Sequence, residues 1–283
     1  MVGSTGVLRV GSRELVLGAR TYIMAVVNVS PDSFSGDGIA DVEQAIERAR
    51  HAEAEGADIV DLGGESTRPE TWGDPPLPLE TELARVLPVV ERLHDALSIP
   101  ISIDTSKAAV AVAALRAGAA MVNDVSGLKA DPEMAAVVAA AGVPLVVMHN
   151  QPLQPGSDLI AQIIEGLDRS LETARLAGIS EDRMIADPGI GFHKNRAQNL
   201  ELVRRMGELV SLGLPLLVGP SRKSFIGSTL DLPVEDRLEG TAAAVALAIA
   251  AGVDLVRVHD VRAMVRVARM ADAIVRPAQT GSP

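Results

Sequence analysis

Eight short apolar runs punctuate this chain, and each one ends in polar or charged residues. Residues 23–27 run into Asn28, 57–62 into Gly63-Gly64-Glu65, 101–103 into Asp104 and 119–122 into Asn123-Asp124. Residues 143–148 run into His149, 184–186 into Asp187, 215–218 toward Ser221-Arg222-Lys223 and 255–258 into His259-Asp260. Near-continuous Val/Ile/Leu runs are the mark of strands buried on both faces. Helical stretches separate the runs, so strand and helix alternate eight times. That order predicts an α/β fold of the (β/α)8 TIM-barrel type, whose chemistry sits at the C-terminal ends of the strands.

Ahead of the first barrel strand, 7–10 and 14–17 flank Gly11-Ser12-Arg13. This is the pattern of a β-hairpin, placed to plug the bottom of the barrel. Helices are predicted over 41–55, capped by Asp41 and stopped at Gly56, and over 79–97, 107–117 and 132–141. The fourth of these has Asp131 as its cap and Pro132 in its first turn. Further helices are predicted over 158–177, 197–212, 222–228 with 234–251, and 261–274. The connections 30–40 and 66–78 are long and rich in Pro and Gly, which suits lids or substrate clamps on a rigid barrel. Residues 1–283 form a single domain on this reading, with 1–6 and 277–283 as loose tails.

The chain has 283 residues, near the roughly 250 typical of one such barrel. A hydrophobic share of 47% supplies a large core. The net charge of −11 argues against nucleic acid as a partner, since phosphate backbones need clustered Lys and Arg. With no cysteine, disulfides, thiolate nucleophiles and Cys-ligated zinc are excluded. No signal peptide or membrane span is visible, so no membrane partner is expected and the cytoplasm is the expected location. Only five aromatics occur, Tyr22, Phe34, Trp72, Phe192 and Phe225. Four of them follow strands, where they serve either to stack on a flat ligand or to pin loops down.

The strand ends carry the chemistry. Asp104, Asn123 and Asp187 each close an apolar strand, where a carboxylate must be paired or hydrogen-bonded. Converging on the barrel axis, they suit a flat, donor-rich heterocycle such as an aminopyrimidinone; holding loops together is the bland alternative. Lys223 sits where the seventh strand gives way to a helix, a place where barrels bind anions. Arg257 and His259 lie two apart on the last strand and so project to one side, a pairing fit for phosphate or pyrophosphate. For Arg257 an interior salt bridge is the alternative. Arg68 either closes on the same anion or is a solvated loop charge. His51 and His94 fall on helix faces, while His149 and His193 stay ambiguous. No pair of histidines has metal-ligand spacing. Asn28 is placed to join a Mg²⁺ held mainly by substrate phosphates. No nucleophilic triad and no dinucleotide or Walker glycine fingerprint is present.

Seven motifs in order resemble the dihydropteroate synthase family. They are Asn28-Val29-Ser30-Pro31-Asp32-Ser33-Phe34-Ser35, Gly63-Gly64-Glu65-Ser66-Thr67-Arg68-Pro69, Ile103-Asp104-Thr105, Val122-Asn123-Asp124-Val125, Asp187-Pro188-Gly189-Ile190-Gly191-Phe192, Ser221-Arg222-Lys223 and Arg257-Val258-His259-Asp260-Val261. Any one would be weak; the ordered set, over about 21–270, is specific. The resemblance implies condensation of 4-aminobenzoate with 6-hydroxymethyl-7,8-dihydropterin pyrophosphate, giving 7,8-dihydropteroate and pyrophosphate for folate synthesis. It further implies Mg²⁺, a homodimer and the enzyme class that sulfonamides target. By the same resemblance Asp104, Asn123, Asp187 and Lys223 meet the pterin edges and Met148 and Arg257 its faces, with Phe192 and Gly219 completing the pocket. Asn28, Thr67, Arg68, Arg257 and His259 hold pyrophosphate, Asn28 also being the metal ligand. Phe34, Thr67, Pro69 and Ser224 shape the aminobenzoate pocket. The implied catalytic set is Asp104, Lys223, Arg257, His259 and a loop acid, Asp37.

Three positions depart from the family pattern. Gly36-Asp37-Gly38 stands where Asp-Gly-Gly is usual, Glu70 where Gly is usual, and His193 where Gly is common. Rival readings are a corrinoid-type pterin methyltransferase, which would lack the Ser-Arg-Lys and Arg-Val-His-Asp anion set, a pterin-binding paralogue without turnover, marked by altered loops, and a non-enzymatic scaffold barrel, which has no use for eight polar strand ends.

Overall fold

The computed structural model describes residues 5–29, 38–65 and 76–276. An antiparallel hairpin, β1 (Gly6–Val10) and β2 (Arg13–Leu17), precedes eight parallel strands. These are β3 (Tyr22–Asn28), β4 (Ile59–Gly63), β5 (Ile101–Asp104), β6 (Met121–Asp124), β7 (Leu145–Met148), β8 (Met184–Asp187), β9 (Leu217–Val218) and β10 (Leu255–Val258). Their spatial order is β8-β7-β6-β5-β4-β3-β10-β9, and a parallel bridge from Ala186 to Leu216 joins the two ends. The eight predicted strands thus close into the predicted barrel.

Helices cover its outside: α1 (Gly38–Glu55), α2 (Leu79–His94), α3 (Ala108–Arg116), α4 (Met134–Ala141), α5 (Leu159–Leu176), α6 (Arg196–Arg205), α7 (Ser224–Leu230), α8 (Leu238–Ala250) and α9 (Val261–Val275). Strand residues of one parity, such as Ile23, Ala25, Val60, Ile103 and Val147, join the helices in the outer core. The alternate parity faces inward, as the two-residue period requires.

That inner parity is graded along the barrel axis. At the bottom, Met24, Ile59, Met121, Val146, Ile185, Leu217 and Leu255 form an apolar layer. Leu8, Val10, Leu15 and Leu17 of the hairpin pack on it, with Tyr22, as the plug that the sequence predicted. One and two inward steps higher on the strands come Asp61, Asp104, Asn123, Asp187 and Arg257. The fold therefore seals one end with hydrocarbon and concentrates charge at the other.

Four expectations are corrected. β1 starts at Gly6, inside the stretch expected as a tail. α1 begins at Gly38, three residues before the predicted cap Asp41. α4 begins at Met134 rather than Pro132. Asp131 takes the Glu133 N–H on Oδ1 at 3.0 Å and the Ala108 N–H on Oδ2 at 2.8 Å. The start of α3 has no side-chain cap of its own, and its orphan donor captures that carboxylate. Phe225, expected near the ligand rim, is buried in the core between barrel and helices, so the loop-pinning alternative holds for it.

Candidate active site

Barrel closure sets five strand ends around one space. β4 and β5 are in register with Gly63 beside Asp104, and β5 and β6 with Asp104 beside Asn123. A Cβ on Gly63 would lie 3.5 Å from the Asp104 Cβ and 3.6 Å from Asn28 Oδ1. Gly63 thus lies between Asn28 and Asp104 on the rim, in ordinary contact range of both.

Arg257 reaches from β10 across the barrel. Its Nε donates to Asp61 Oδ2 at 2.6 Å and its Nη2 to Asp104 Oδ2 at 2.7 Å. The predicted alternative of an interior salt bridge is therefore realised, but the Arg keeps donors in reserve. Guanidinium has five N–H groups, and two are used here. Asn123 Nδ2 donates to the same Asp61 oxygen at 2.9 Å. Burial pushes the Asp104 carboxyl up to about 7, with Arg257 opposing the shift and Asp61 adding to it. Two carboxylates share one guanidinium, so this cluster is short of positive charge.

Across the barrel, Asp187 ends β8 and accepts the Gly189 N–H at 2.7 Å. Burial raises it to about 6, against the pull of that N–H and of Lys223. Lys223 occupies the N-cap position of α7, and its Nζ stands 4.1 Å above the Phe192 ring. Gly191, at φ +84°, leaves room for it; a Cβ there would fall 2.8 Å from Lys223 Cδ. Phe192 and Lys223 are thus one packed unit. Met148 is buried at the end of β7, and Gly219 lies beside Arg257, where a Cβ would be 3.6 Å from the Arg257 Cβ. His259 is exposed on the rim, with its backbone N–H and its Nδ1 both on Ser221 Oγ, at 3.2 and 3.0 Å. Ser224 is exposed at the first position of α7.

The structure thus brings Asn28, Asp104, Asn123, Met148, Asp187, Phe192, Gly219, Lys223, Ser224, Arg257 and His259 to one end of the barrel. Phe34, Asp37, Thr67, Arg68 and Pro69, together with the departure at Glu70, lie outside the described residues. His149 resolves to a supporting role. Its Nδ1 is 3.2 Å from Lys194 Nζ, which also donates to the Gly189 and Phe192 carbonyls at 3.0 and 3.1 Å. Burial, then the Lys194 charge, lowers His149 to about 3, so it stays neutral. Burial lowers Lys194 to about 7. The pair fastens the loop carrying Asp187 and Phe192. His193 adopts φ +47°, the left-handed region glycine enters at no steric cost. The exposed departure from the family's glycine thereby carries a local backbone strain.

Three groups were missed from sequence. Asp61 lies inside an apolar run, and its presence there was itself the available signal, since a buried charge needs a partner. Arg222 is held by Asp260 through two bonds, Nε at 2.9 Å and Nη2 at 2.5 Å, which fixes the turn before Lys223. Lys107 donates to Glu65 Oε2 and Glu82 Oε2, each at 2.5 Å, while Glu65 Oε1 accepts the Leu77 N–H at 2.9 Å. This network ties the end of β4 to the lead-in of α2.

Among the described residues no group of three or more His, Cys, Asp or Glu is placed to hold a metal ion. The donor set around Asn28 fits a divalent cation only if the substrate brings most of the oxygen ligands.

Known proteins match this geometry. A model of pterin-binding enzymes matches residues 24–259. The dihydropteroate synthase of Bacillus subtilis is 44% identical over 97% of this chain and 95% of its own. The solved dihydropteroate synthase of Clostridium difficile, in the presence of pteroic acid, superposes with a TM-score of 0.88 at 47% identity, over 92% of this chain and 98% of that one. That of Xanthomonas albilineans with 4-aminobenzoic acid gives 0.89 at 40% identity, over 96% and 98%. Ordered motifs, a closed barrel, a charged mouth and relatives along nearly the whole length agree: the chain belongs to the dihydropteroate synthases of the pterin-binding enzyme family.

Proposed function

We propose that the charged mouth of this barrel binds 6-hydroxymethyl-7,8-dihydropterin pyrophosphate and joins its methylene carbon to the amine of 4-aminobenzoate. The observation that carries the reading is the pairing of two half-sites. Asp104, Asn123 and Asp187 offer acceptors to a flat, N–H-rich ring, with Lys223 beside Asp187, while Arg257 and His259 offer donors to its anionic leaving group. A methyltransferase needs only the first half; a leaving pyrophosphate needs both.

The reaction follows an SN1-like course. The bond between methylene carbon and pyrophosphate oxygen breaks with its electron pair passing to oxygen. Arg257 and His259 stabilise that growing charge from fixed positions, which costs no reorganisation at the moment of cleavage. The ring spreads the positive charge left behind, and the Asp61–Asp104 pair, with more negative charge than one Arg257 offsets, favours it. The aniline nitrogen then attacks and loses a proton, so no strong base is required. His149, held neutral behind the loop, takes no part in proton transfer. Phe34, Thr67, Pro69 and Ser224 would surround 4-aminobenzoate, and Asp37 would supply a further acid at the mouth. Asn28 would help seat Mg²⁺ on the pyrophosphate, and Thr67 and Arg68 would bind the pyrophosphate itself. When bound, Mg²⁺ neutralises charge on the leaving group.

The enzyme acts as a cytoplasmic homodimer on this reading. No described helix is long and apolar enough to cross a membrane. Support for the dimer comes from α8, whose outward stripe of Ala243, Leu247 and Ala250 carries no charge, with Leu247 58% exposed. Light scattering is expected to give a dimer mass, and Leu247→Glu a monomer; a monomer in both would remove the assignment.

The direct test is pyrophosphate release from the dihydropterin pyrophosphate with Mg²⁺, with and without 4-aminobenzoate. Release matched by dihydropteroate formation is expected. Tight pterin binding with no release would instead identify a silent paralogue.

A further inference from the structure

Among the described buried acids Asp61 alone combines two features: it holds no backbone N–H, and one of its oxygens is buried and accepts nothing. Glu82 also bonds only side chains, but both of its oxygens are engaged. Asp124 accepts the backbone N–H groups of Ser126 and Leu128, and so shapes a loop. Asp187 accepts the Gly189 N–H and so shapes the loop after its strand. Asp61 is fully buried, and among the described residues its bonds are to the side chains of Arg257 and Asn123, both through Oδ2. Its Oδ1 is buried and accepts nothing. A carboxylate that holds no backbone and leaves an oxygen unsatisfied is an expensive way to stabilise a fold, since each unpaired buried acceptor costs free energy. Its placement makes sense through the two side chains it aims.

The consequence for Asn123 follows from donor chemistry. An ionised carboxylate only accepts hydrogen bonds, so the amide must turn its NH₂ toward Asp61. Its carbonyl oxygen then accepts no bond within the chain among the described residues, and Asn123 lies in register with Asp104 at the barrel mouth. The Arg257 Nε bond to the same oxygen, at 2.6 Å, sets the guanidinium plane at the same time. One buried acid thereby fixes two site groups in mutual register.

We propose that Asp61 is a positioning residue for the pterin subsite: it locks the Asn123 amide so that the carbonyl faces the ligand and accepts a ring N–H. This rests on the pterin reading above and goes beyond it, because it assigns the direction of one hydrogen bond and the residue that enforces it. Asp61→Asn removes the enforcement. The new amide can present either face to Asn123, which becomes free to flip.

The test is a double-mutant cycle read by calorimetric binding of 6-hydroxymethyl-7,8-dihydropterin. Asp61→Asn is expected to weaken binding by about tenfold or more, but by less than about threefold in an Asn123→Ala background, the non-additivity expected of coupled neighbours. Equal losses in both backgrounds would overturn the proposal and leave Asp61 a merely structural residue. If Asp61→Asn does not fold, Asp61→Ser keeps an acceptor in a smaller volume and takes its place in the cycle. A second readout uses the unsubstituted enzyme. The Asn123 side-chain N–H signals, identified by their loss in Asn123→Ala, are expected to stay in place and stay slow to exchange on saturation with the dihydropterin. A large shift showing that these protons turn to the ligand would overturn the proposal. Failure of the unsubstituted enzyme to bind dihydropterin at all would refute the pterin reading instead, so the two failures are distinguishable.

Discussion

Arg257→Ala is expected to abolish most turnover and to weaken pyrophosphate binding together. The wild-type side chain spends Nε on Asp61 and Nη2 on Asp104, leaving the rest of its fork for the leaving group. Loss of one preorganised donor to a developing anion costs about 10²–10³ in rate. Alanine also leaves two buried acids with no cation between them, and unpairing a buried ion pair costs about 3–5 kcal/mol of stability. Part of that cost will be relieved by protonation, because Asp104 already sits near 7 with Arg257 in place, and without it the carboxyl rises further. The melting temperature of Arg257→Ala should therefore recover as pH falls from 8 toward 6, the direction in which a raised carboxyl takes up its proton. Arg257→Lys separates the two effects. A lysine keeps the charge but not the planar fork. It should restore much of the stability while turnover stays low. Near wild-type turnover in Arg257→Ala would make the last strand structural and remove the leaving-group assignment.

What the sequence made legible was the part set by local chemistry. The strand ends at Asp104, Asn123, Asp187, Arg257 and His259 stood out because a polar residue closing an apolar run breaks a one-dimensional pattern. The hairpin was legible from its turn residues and its place ahead of the first barrel strand, and the structure supplies the apolar bottom layer that it covers. What was not legible depended on closure in three dimensions. Asp61 sits within a strand run, and its partners lie 62 and 196 positions away, so only the barrel brings them together. Asp131 looked like the cap of the helix next to it, yet a helix start 23 residues upstream captured its second oxygen. Lys107 reads as an ordinary start to a helix until Glu65 and Glu82 arrive from two other elements. Phe225 follows a strand and left both a ligand contact and a loop anchor open, and the helix it belongs to turns that face into the core. In each case the residue type announced a need for a partner, and the topology chose which.

Lys223→Ala tests the opposite wall of the pocket and should weaken dihydropterin binding by about 10- to 100-fold, the range of about 1.5–3 kcal/mol for a hydrogen bond to a charged group. The lysine reaches its place because Gly191 leaves its stem room and Phe192 supplies an aromatic face under the ammonium. Lys223→Met retains most of the stem and removes only the cation, so binding lost in both variants is due to charge and binding lost in alanine alone is due to packing. The charge has a second effect that can be read independently. Lys223 is one of the groups holding the Asp187 carboxyl down against burial, which has already raised it to about 6. Asp187 must be ionised to accept N–H groups from the ring, so dihydropterin affinity should fall as pH drops through that value. With Lys223 gone the carboxyl rises, and the midpoint of the affinity loss should move to higher pH in both variants. An unchanged affinity at neutral pH and an unmoved midpoint would separate Lys223 from the pterin and place it with the leaving group alone.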